Sequence, residues 1–348
     1  MCANISNISL DGKLNNLPIF LAPMSGITDK PTRTMIQKFE TGVVFSEMLA
    51  SKELLSNTND PKILNKLGID DLTGATGVQL AGCDPRIMGE TTRFLESQGV
   101  KLIDINMGCP AKRVVGGFAG SALMKDVVKA AKIIESVVKV TTLPVTLKMR
   151  LGWDDNSLNA KDLAKIAEDL GIKLITVHAR TRSQFYKGQA NWGALSEIKN
   201  NISVPLIVNG DISSFKSAKL ALERSNADGF MIGRAVLGKP WLLSQLAFRF
   251  GLTRKRQSLS SDWFLDYVSE HYERLLSFYG LKRGVLCSRK HLRWYFVRIL
   301  SESTLLKELL VENDPNLVLK KINFSSELKT SCAKFFSKYG FDELDLEV

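Results

Sequence analysis

Hydrophobic runs of four to six residues alternate with longer amphipathic stretches from Pro18 to about Trp241. This alternation predicts repeated strand–helix units and a parallel sheet. Eight runs are candidate strands, over residues 19–23, 43–46, 75–80, 102–106, 145–148, 174–178, 206–209 and 229–232. Helical periodicity is clear between them over residues 84–98, 125–140 and 159–170. Eight such units predict an α/β fold of the (β/α)8 TIM-barrel type rather than an open doubly wound sheet.

A second region begins after Trp241, because the strand–helix alternation stops there. From about Asp262 onward the pattern is helical, most clearly over residues 263–278, 288–302 and 326–338. Arg254-Lys255-Arg256 and several serines precede this region and are typical of a linker. We therefore expect a catalytic barrel over residues 1–245, a linker over 246–261 and a small C-terminal helical domain over 262–348.

Polar residues stand at the predicted strand ends. In a TIM barrel these ends meet at one rim, where active sites are built. The strand ends carry Pro23-Met24, Gln79, Asn106, Lys148, His178, Asn209-Gly210-Asp211 and Gly233-Arg234. Because alternate residues of a strand share a face, Thr146, Lys148 and Arg150 are expected on the same side of their strand. The rim is therefore the predicted ligand site.

Composition narrows the class of protein. Of 348 residues, 45% are hydrophobic and 24% are charged, which is typical of a globular protein rather than a disordered one. No apolar run approaches the roughly 20 residues of a membrane span, and the polar residues 1–16 do not resemble a signal peptide. The five cysteines are scattered, without CxxC or histidine-rich spacing. We expect a cytoplasmic monomer with no metal site, no membrane segment and reduced thiols.

The charge balance indicates a polyanionic partner. Lys and Arg total 47 against 36 Asp and Glu, a formal net charge of +11. One segment without acids contains Lys282, Arg283, Arg289, Lys290, Arg293 and Arg298. His291, Trp294 and Tyr295 are interleaved with these cations. The segment is interpreted either as an RNA-binding helix face or as a solvated face that covers an aromatic core.

Cys109 is the strongest candidate for a catalytic group. It lies in the stretch Asp104-Ile-Asn-Met-Gly-Cys-Pro, a Gly/Pro turn directly after a predicted strand. A thiol at such a turn on the rim can donate a proton, whereas a core cysteine is an inert apolar residue. We favour the catalytic interpretation for Cys109 and the inert one for the other four cysteines. The glycine-rich stretch that follows, residues 113–122, fits a gating loop and a plain turn equally well.

Basic residues and glycines at other strand ends indicate an anionic ligand. Lys148 is costly inside a barrel unless an anion meets it, so it either contacts a flavin or pairs with Asp104 or Asp211. The glycines of the last two strand ends, with Arg234, match the usual phosphate site of TIM barrels. That phosphate could belong to FMN or to a sugar-phosphate substrate. After His178, a basic loop with Arg180, Arg182 and Tyr186 is suited to a phosphate or a stacked base.

Seven motifs in order carry a family resemblance. They are Leu21-Ala-Pro-Met-Ser-Gly-Ile-Thr-Asp29, Val78-Gln-Leu80, Asp104-Ile-Asn-Met-Gly-Cys-Pro110, Val145-Thr-Leu-Lys-Met-Arg150, Val177-His-Ala-Arg-Thr-Arg182, Val208-Asn-Gly-Asp211 and Met231-Ile-Gly-Arg234. With them the chain resembles the tRNA-dihydrouridine synthases, most closely the bacterial DusB branch. The resemblance covers the barrel and extends more loosely into the tail through Arg289-Lys290-His291 and Trp294-Tyr295. Several ordered motifs are far more specific than one.

The resemblance implies FMN as cofactor, NADPH as reductant and uridines of tRNA as substrate. The residues it assigns to FMN are Pro23, Met24, Ser25, Gln79, Lys148, His178, Asn209, Gly210, Asp211, Gly233 and Arg234. Cys109 would protonate the uracil that reduced flavin attacks with hydride. At the rim, the residues that the resemblance assigns to substrate binding are Asn106, Arg150, Arg180 and Arg182. In the tail, those that it assigns to RNA binding are Arg289, Lys290 and Arg293.

Two other functions fit parts of the sequence. An FMN barrel that acts on a free pyrimidine, as dihydroorotate dehydrogenases do, would share the flavin and the acid–base residue but not the basic helical tail. A barrel that binds RNA without catalysis would need the tail but not Cys109.

Overall fold

The computed structural model of the chain describes residues 17–39, 42–58, 76–254, 259–300 and 303–339. Its strands, in chain order, are β1 Ile19–Leu21, β2 Val44–Phe45, β3 Leu49–Ala50, β4 Thr76–Ala81, β5 Ile103–Met107, β6 Val145–Arg150, β7 Leu174–His178, β8 Leu206–Asn209 and β9 Gly229–Ile232. They pair in parallel in the order β2-β1-β9-β8-β7-β6-β5-β4-β3, and β2 also pairs with β4, which closes the sheet. The predicted (β/α)8 barrel is confirmed. The short β3, which the hydrophobic pattern did not predict, adds to the end of β4.

Helices follow the strands around the barrel. They are α1 Lys30–Gln37, α2 Ser51–Ser56, α3 Pro85–Ser97, α4 Lys112–Gly116, α5 Val127–Val138, α6 Ala160–Asp169, α7 Ala194–Lys199, α8 Phe215–Ser225 and α9 Leu242–Arg249, with 3-10 turns at Gly120–Lys125 and Arg234–Val236. Carboxylates of Asp29, Asp84 and Asp126 accept a backbone N–H in the first turns of α1, α3 and α5. Such caps satisfy amides that a helix start leaves without partners, so they fix where each helix begins. The helices predicted over 84–98, 125–140 and 159–170 are confirmed.

The tail is helical, as predicted, but its boundaries differ. It contains α10 Ser261–Tyr279, α11 Leu281–Phe296, α12 Thr304–Val311, α13 Pro315–Phe324 and α14 Ser326–Tyr339. The helix predicted over 288–302 was wrong at both ends. Gly280 at φ +77° turns the chain, so α11 begins directly after it, and α11 ends at Phe296. Residues 301–302 of that segment, and 255–258 of the predicted linker, lie outside the described residues. The domain boundaries stay a prediction, and α9 continues across position 245.

Two apolar regions organise the packing. The lower barrel interior is filled by Phe20, Ala22, Val43, Phe45, Leu102, Leu174, Ile207 and Met231. A Cβ on Gly77 would lie 2.7 Å from the Phe45 ring, so the side chains are closely packed at this point of the interior. The tail has its own aromatic core, which also includes Met35 and Phe39 from α1 and its end, and Trp241. The tail therefore packs on the α1 side of the barrel, and no helix in the described ranges is long and apolar enough to cross a membrane.

Candidate active site

Strand alternation carries polar side chains to one end of the barrel interior. Below Asp104 lies the buried Leu102 of the apolar interior, and above it lies Asn106. Strand register places Asn106 beside Lys148 and Arg150 beside His178. The apolar lower interior thus gives way to a polar mouth at the C-terminal strand ends, as expected for a TIM-barrel site.

Cys109 lies at this mouth in a turn that is fixed from two sides. The Oδ1 of Asn106 accepts the backbone N–H of Gly108 at 3.2 Å and that of Cys109 at 3.0 Å. The Cys109 carbonyl accepts the N–H of Ser121 at 3.1 Å and its hydroxyl at 2.9 Å. Gly120, at φ +60°, passes so close that a Cβ there would lie 2.8 Å from the Cys109 carbonyl oxygen. The partly buried thiol therefore stands on a well-defined turn, and the glycine-rich stretch after it forms α4 and a 3-10 turn.

A chain of buried hydrogen bonds runs beneath this turn. Asp104 Oδ2 accepts from Gln79 Nε2 at 2.6 Å, and Gln79 Oε1 accepts from Asn106 Nδ2 at 2.7 Å. Asn106 also accepts the backbone N–H of Cys109. The carboxylate at one end of this chain can only accept and the backbone N–H at the other end can only donate, so the direction of every bond between them is fixed. Burial raises the pKa of Asp104 to about 6, opposed by hydrogen bonds from Thr146 and Gln79. Gln79 and Asn106 therefore position the cysteine turn.

Lys148 is held in the mouth by a neutral partner. Its Nζ donates to Asn209 Oδ1 at 3.2 Å, and Asn209 Nδ2 donates to the Met231 carbonyl at 2.8 Å. Among the described residues, no carboxylate lies within 4.0 Å of this ammonium, so the ion-pair alternative with Asp104 or Asp211 is not observed. Burial lowers the pKa of Lys148 to about 8, although the Asp104 charge raises it. The ammonium retains donors for an anionic ligand.

The predicted substrate arginines Arg150 and Arg180 are built into the rim. Arg150 donates to the carbonyls of Gly108, Thr181 and Phe185, each at 2.8 Å. Arg180 donates to the carbonyls of Lys187 and Gly188 and forms a 2.6 Å ion pair with Asp211. Both guanidinium groups are buried and hold the loops that shape the mouth. Their predicted contact with substrate stays a prediction.

Cations surround the buried His178. Burial, with the charges of Arg150, Lys148, Arg180 and Arg234, holds the pKa of His178 well below its usual range. The imidazole is therefore neutral at pH 7, while the mouth around it is positively charged. Such a field favours an anionic ligand.

Tyr186, which the sequence analysis placed in a loop suited to a phosphate or a stacked base, stands over this mouth. Tyr186 is 53% exposed, and the guanidinium carbons of Arg150 and Arg234 lie 5.5 Å and 4.9 Å from its ring centre. Arg182 stacks instead on Trp153 and Phe185, at 4.4 Å and 4.8 Å. The sequence signal for Tyr186 was its place in a basic strand-end loop, which does not reveal where a side chain points.

The two strand-end glycines of the predicted phosphate site differ. Gly210 has φ +116°, and a Cβ there would lie 2.9 Å from the His178 ring, so folding alone requires glycine. At Gly233 the nearest atoms to the Cβ position, in Ala22 and Met24, are 3.9 Å away, an ordinary van der Waals distance. Protein packing therefore does not demand a glycine at 233. The position is partly exposed and is followed by the exposed Arg234, so a bound group has access to it.

Comparison with known proteins identifies the family. The dihydrouridine synthase family model matches residues 20–331. The chain belongs to the dihydrouridine synthase family. It is 45% identical to a probable tRNA-dihydrouridine synthase of Rickettsia conorii, over 95% of this chain and 99% of that one. It is 41% identical to tRNA-dihydrouridine synthase B of Pasteurella multocida, over 80% of this chain and 83% of that one.

Family membership confirms the predicted resemblance and the predicted class of enzyme, an oxidoreductase. Among solved structures, an old yellow enzyme homologue from Zymomonas mobilis matches 69% of this chain and 89% of its own, at 14% identity and a TM-score of 0.48.

In this dihydrouridine synthase, the three predicted RNA residues of the tail have different surroundings. Arg289 donates to the carbonyls of Val311 and Glu312, at the C-terminal end of α12, and to Asn313 Oδ1. Lys290 donates to the Gly26 carbonyl in the loop after β1. Arg293 is exposed. The basic segment thus combines residues in structural contacts with exposed cations, and its predicted contact with RNA stays a prediction.

Proposed function

We propose that this protein is a tRNA-dihydrouridine synthase that reduces the C5–C6 double bond of uridines in tRNA with FMN and NADPH, with Cys109 as the proton donor. The observation that carries the proposal is the placement of Cys109 on a fixed turn at a cationic barrel mouth, in a chain of the dihydrouridine synthase family. The relatives named tRNA-dihydrouridine synthase support tRNA as the substrate.

The residues at the mouth fit FMN. Lys148 has a neutral partner and donors to spare for the anionic edge of a reduced flavin. The partly exposed Gly233, followed by the exposed Arg234, is proposed to meet the phosphate, since a guanidinium fork matches phosphate oxygens. The remaining residues proposed to bind FMN are Pro23, Met24, Ser25, Gln79, His178, Asn209, Gly210 and Asp211. When bound and reduced by NADPH, FMN supplies the hydride.

The chain's own residues supply the proton and the orientation of the base. Cys109 Sγ holds the proton for the uracil carbon next to the one that accepts hydride, so the charge that develops on the ring is neutralised as it forms. Asn106 keeps the cysteine turn in place, and with Arg150, Arg180 and Arg182 it is proposed to border the base. Holding the donor and the base in one geometry removes much of the entropic cost of the reaction. A target uridine must turn out of the folded tRNA to reach this mouth.

The helical tail is proposed to carry the tRNA. Arg293 and the other exposed cations Lys282, Arg283 and Arg298 would meet phosphates, whose neutralisation releases counterions and strengthens binding. We propose that the protein acts as a cytoplasmic monomer.

Reconstitution tests the function. The purified protein, FMN and NADPH are incubated with tRNA transcribed without modifications, and dihydrouridine is measured by mass spectrometry of the digested RNA. We expect dihydrouridine in tRNA and none from free uracil or uridine. Reduction of free pyrimidines alone would establish the dihydroorotate dehydrogenase-like alternative. RNA binding by a colourless, inactive protein would establish the non-catalytic one.

A further inference from the structure

The backbone of Gly26, in the loop between β1 and α1, is held from two directions. Its N–H donates to Glu47 Oε1 at 2.5 Å, and Glu47 follows β2 in the barrel. Its carbonyl accepts from Lys290 Nζ, which belongs to α11 in the tail. A carboxylate and an ammonium thus bind the two successive peptide groups on either side of the Gly26 Cα, through two charge-assisted hydrogen bonds. Gly26 itself has φ +74°, which favours glycine at this turn.

The same loop carries residues proposed to bind FMN. The Met24 carbonyl accepts the N–H groups of Ile27 and Thr28, each at 2.9 Å, and Thr28 Oγ1 accepts the Met24 N–H at 2.9 Å. Residues 24–28 therefore form one closed turn, and a displacement of Gly26 moves Met24 with it. The Met24 sulfur lies 3.9 Å from where a Cβ on Gly233 would stand, so this turn borders the proposed phosphate site.

Other contacts join the tail to α1 rather than to this loop. The Tyr279 hydroxyl donates to Asp29 Oδ2 at 2.8 Å, and Thr32 Oγ1 lies 3.2 Å from His271 Nε2. These hold the start of α1 while Lys290 reaches past it to Gly26. Burial raises the pKa of Glu47, and the charge of Lys290 is among those that lower it, so the two side chains also attract each other electrostatically.

We propose that Lys290 is a positioning residue for the cofactor side of the mouth rather than an RNA contact. With Glu47 it fixes the backbone of Gly26, and through the closed turn it holds Met24 and Ser25 in place for FMN. The helical tail thereby completes the flavin site of the barrel. This inference rests on the proposed function, because it assumes that FMN binds at this mouth.

FMN affinity of the full-length protein tests the inference without reference to turnover. Lys290→Met should weaken FMN binding roughly tenfold, the effect of losing one charge-assisted hydrogen bond, as measured by quenching of flavin fluorescence. Lys282→Met, an exposed position near the start of the same helix, is the matched control and should bind FMN like the wild type. Lys290→Arg retains a cationic donor and should recover most of the affinity.

A second variant covers the case in which Lys290→Met fails to fold. Glu47→Gln alters the hydrogen bond to the Gly26 N–H and should weaken FMN binding in the same direction. Combined with Lys290→Met where that variant folds, its effect should be less than additive, because both residues hold the backbone of Gly26.

The alternative role of Lys290 has a distinct signature. If it contacts RNA, Lys290→Met lowers the slope of log tRNA affinity against log salt by about one and leaves FMN binding intact. That result would overturn the inference, as would unchanged FMN affinity in both Lys290→Met and Glu47→Gln. A wild-type protein that binds no FMN would overturn the proposed function and this inference together, so the two failures are distinguishable.

Discussion

The barrel mouth and helix α11 are both rich in charge, but they organise it differently. In the mouth, Lys148, Arg150 and Arg180 come from neighbouring strands or the residues just after them, and register brings them to one place. On α11, Arg289 and Lys290 are adjacent in sequence, yet one contacts the end of α12 and the other the loop after β1. Successive residues of a helix point about 100° apart, whereas alternate residues of a strand share a face. A cluster of cations in sequence is therefore a cluster in space only where the secondary structure makes it one.

The largest effect is expected from the mouth. Cys109→Ala removes the proposed proton donor and should lower dihydrouridine formation by roughly 10²- to 10⁴-fold, the usual contribution of a general acid. FMN binding and thermal stability should change little, because the backbone of the turn is held by Asn106 and Ser121. Single-turnover reduction of tRNA by the prereduced enzyme measures the effect. Cys83→Ala is the control, and full activity of Cys109→Ala would refute the proton-donor role.

The hydrogen-bond chain beneath Cys109 should be sensitive to the position of its carboxylate. Asn106→Asp places a second carboxylate against Gln79, on the side opposite Asp104. The single NH2 group of Gln79 cannot donate to both carboxylates. We expect a loss of about 1–3 kcal/mol in the free energy of unfolding, the cost of one unsatisfied buried group.

Moving the carboxylate rather than adding one should restore stability. Asp104→Asn combined with Asn106→Asp lets the chain run in the reverse direction between position 104 and Gln79, and urea unfolding of the set measures the recovery. A double variant no more stable than Asn106→Asp alone would contradict this account of the chain.

Lys148 should make FMN binding depend on pH. Lys148→Met should weaken FMN binding roughly tenfold or more, because a charge-assisted hydrogen bond is lost. The pKa of Lys148 is lowered to about 8 in the free protein, so the ammonium loses its proton as the pH rises through that value. Wild-type affinity for FMN should therefore fall above about pH 8, and that fall should be absent from Lys148→Met. Equal pH profiles of the two proteins would contradict the proposed contact between Lys148 and the flavin.

The smallest effects should separate two neighbours on α11. Arg293→Glu should lower the slope of log tRNA affinity against log salt by about one or slightly more. The free energy of unfolding should be unchanged. Arg289→Met should instead change stability and leave the salt dependence as it is, since the Arg289 guanidinium contacts carbonyls at the C-terminal end of α12. Its free energy of unfolding should fall by about 1 kcal/mol with no change in the salt slope. Filter binding at several salt concentrations and thermal unfolding distinguish the two, and identical behaviour of both variants would show that α11 is uniform.

The sequence alone determined much of the barrel. Eight hydrophobic runs and their polar ends predicted the strands and the rim, because strand periodicity is local and parallel strands must align their carboxyl ends. The Gly/Pro turn after β5 identified Cys109, and the ordered motifs identified the family. The helix starts at Asp84 and Asp126 are likewise determined by nearby sequence, since a capping side chain binds a backbone N–H within the next three residues.

Tertiary structure decided what the polar side chains do. Asn106 was expected to hold a base, yet it also shapes the Cys109 turn through bonds to Gln79 and to the backbone. The partner of Lys290 is Gly26, far away in the sequence, and only the packing of the tail on α1 brings them together. Periodicity specifies the face on which a residue lies, but a hydrogen-bond partner depends on which other element is packed against that face. For this protein, local pattern determined the scaffold and the catalytic candidate, and long-range packing decided which of the predicted binding residues are free to bind.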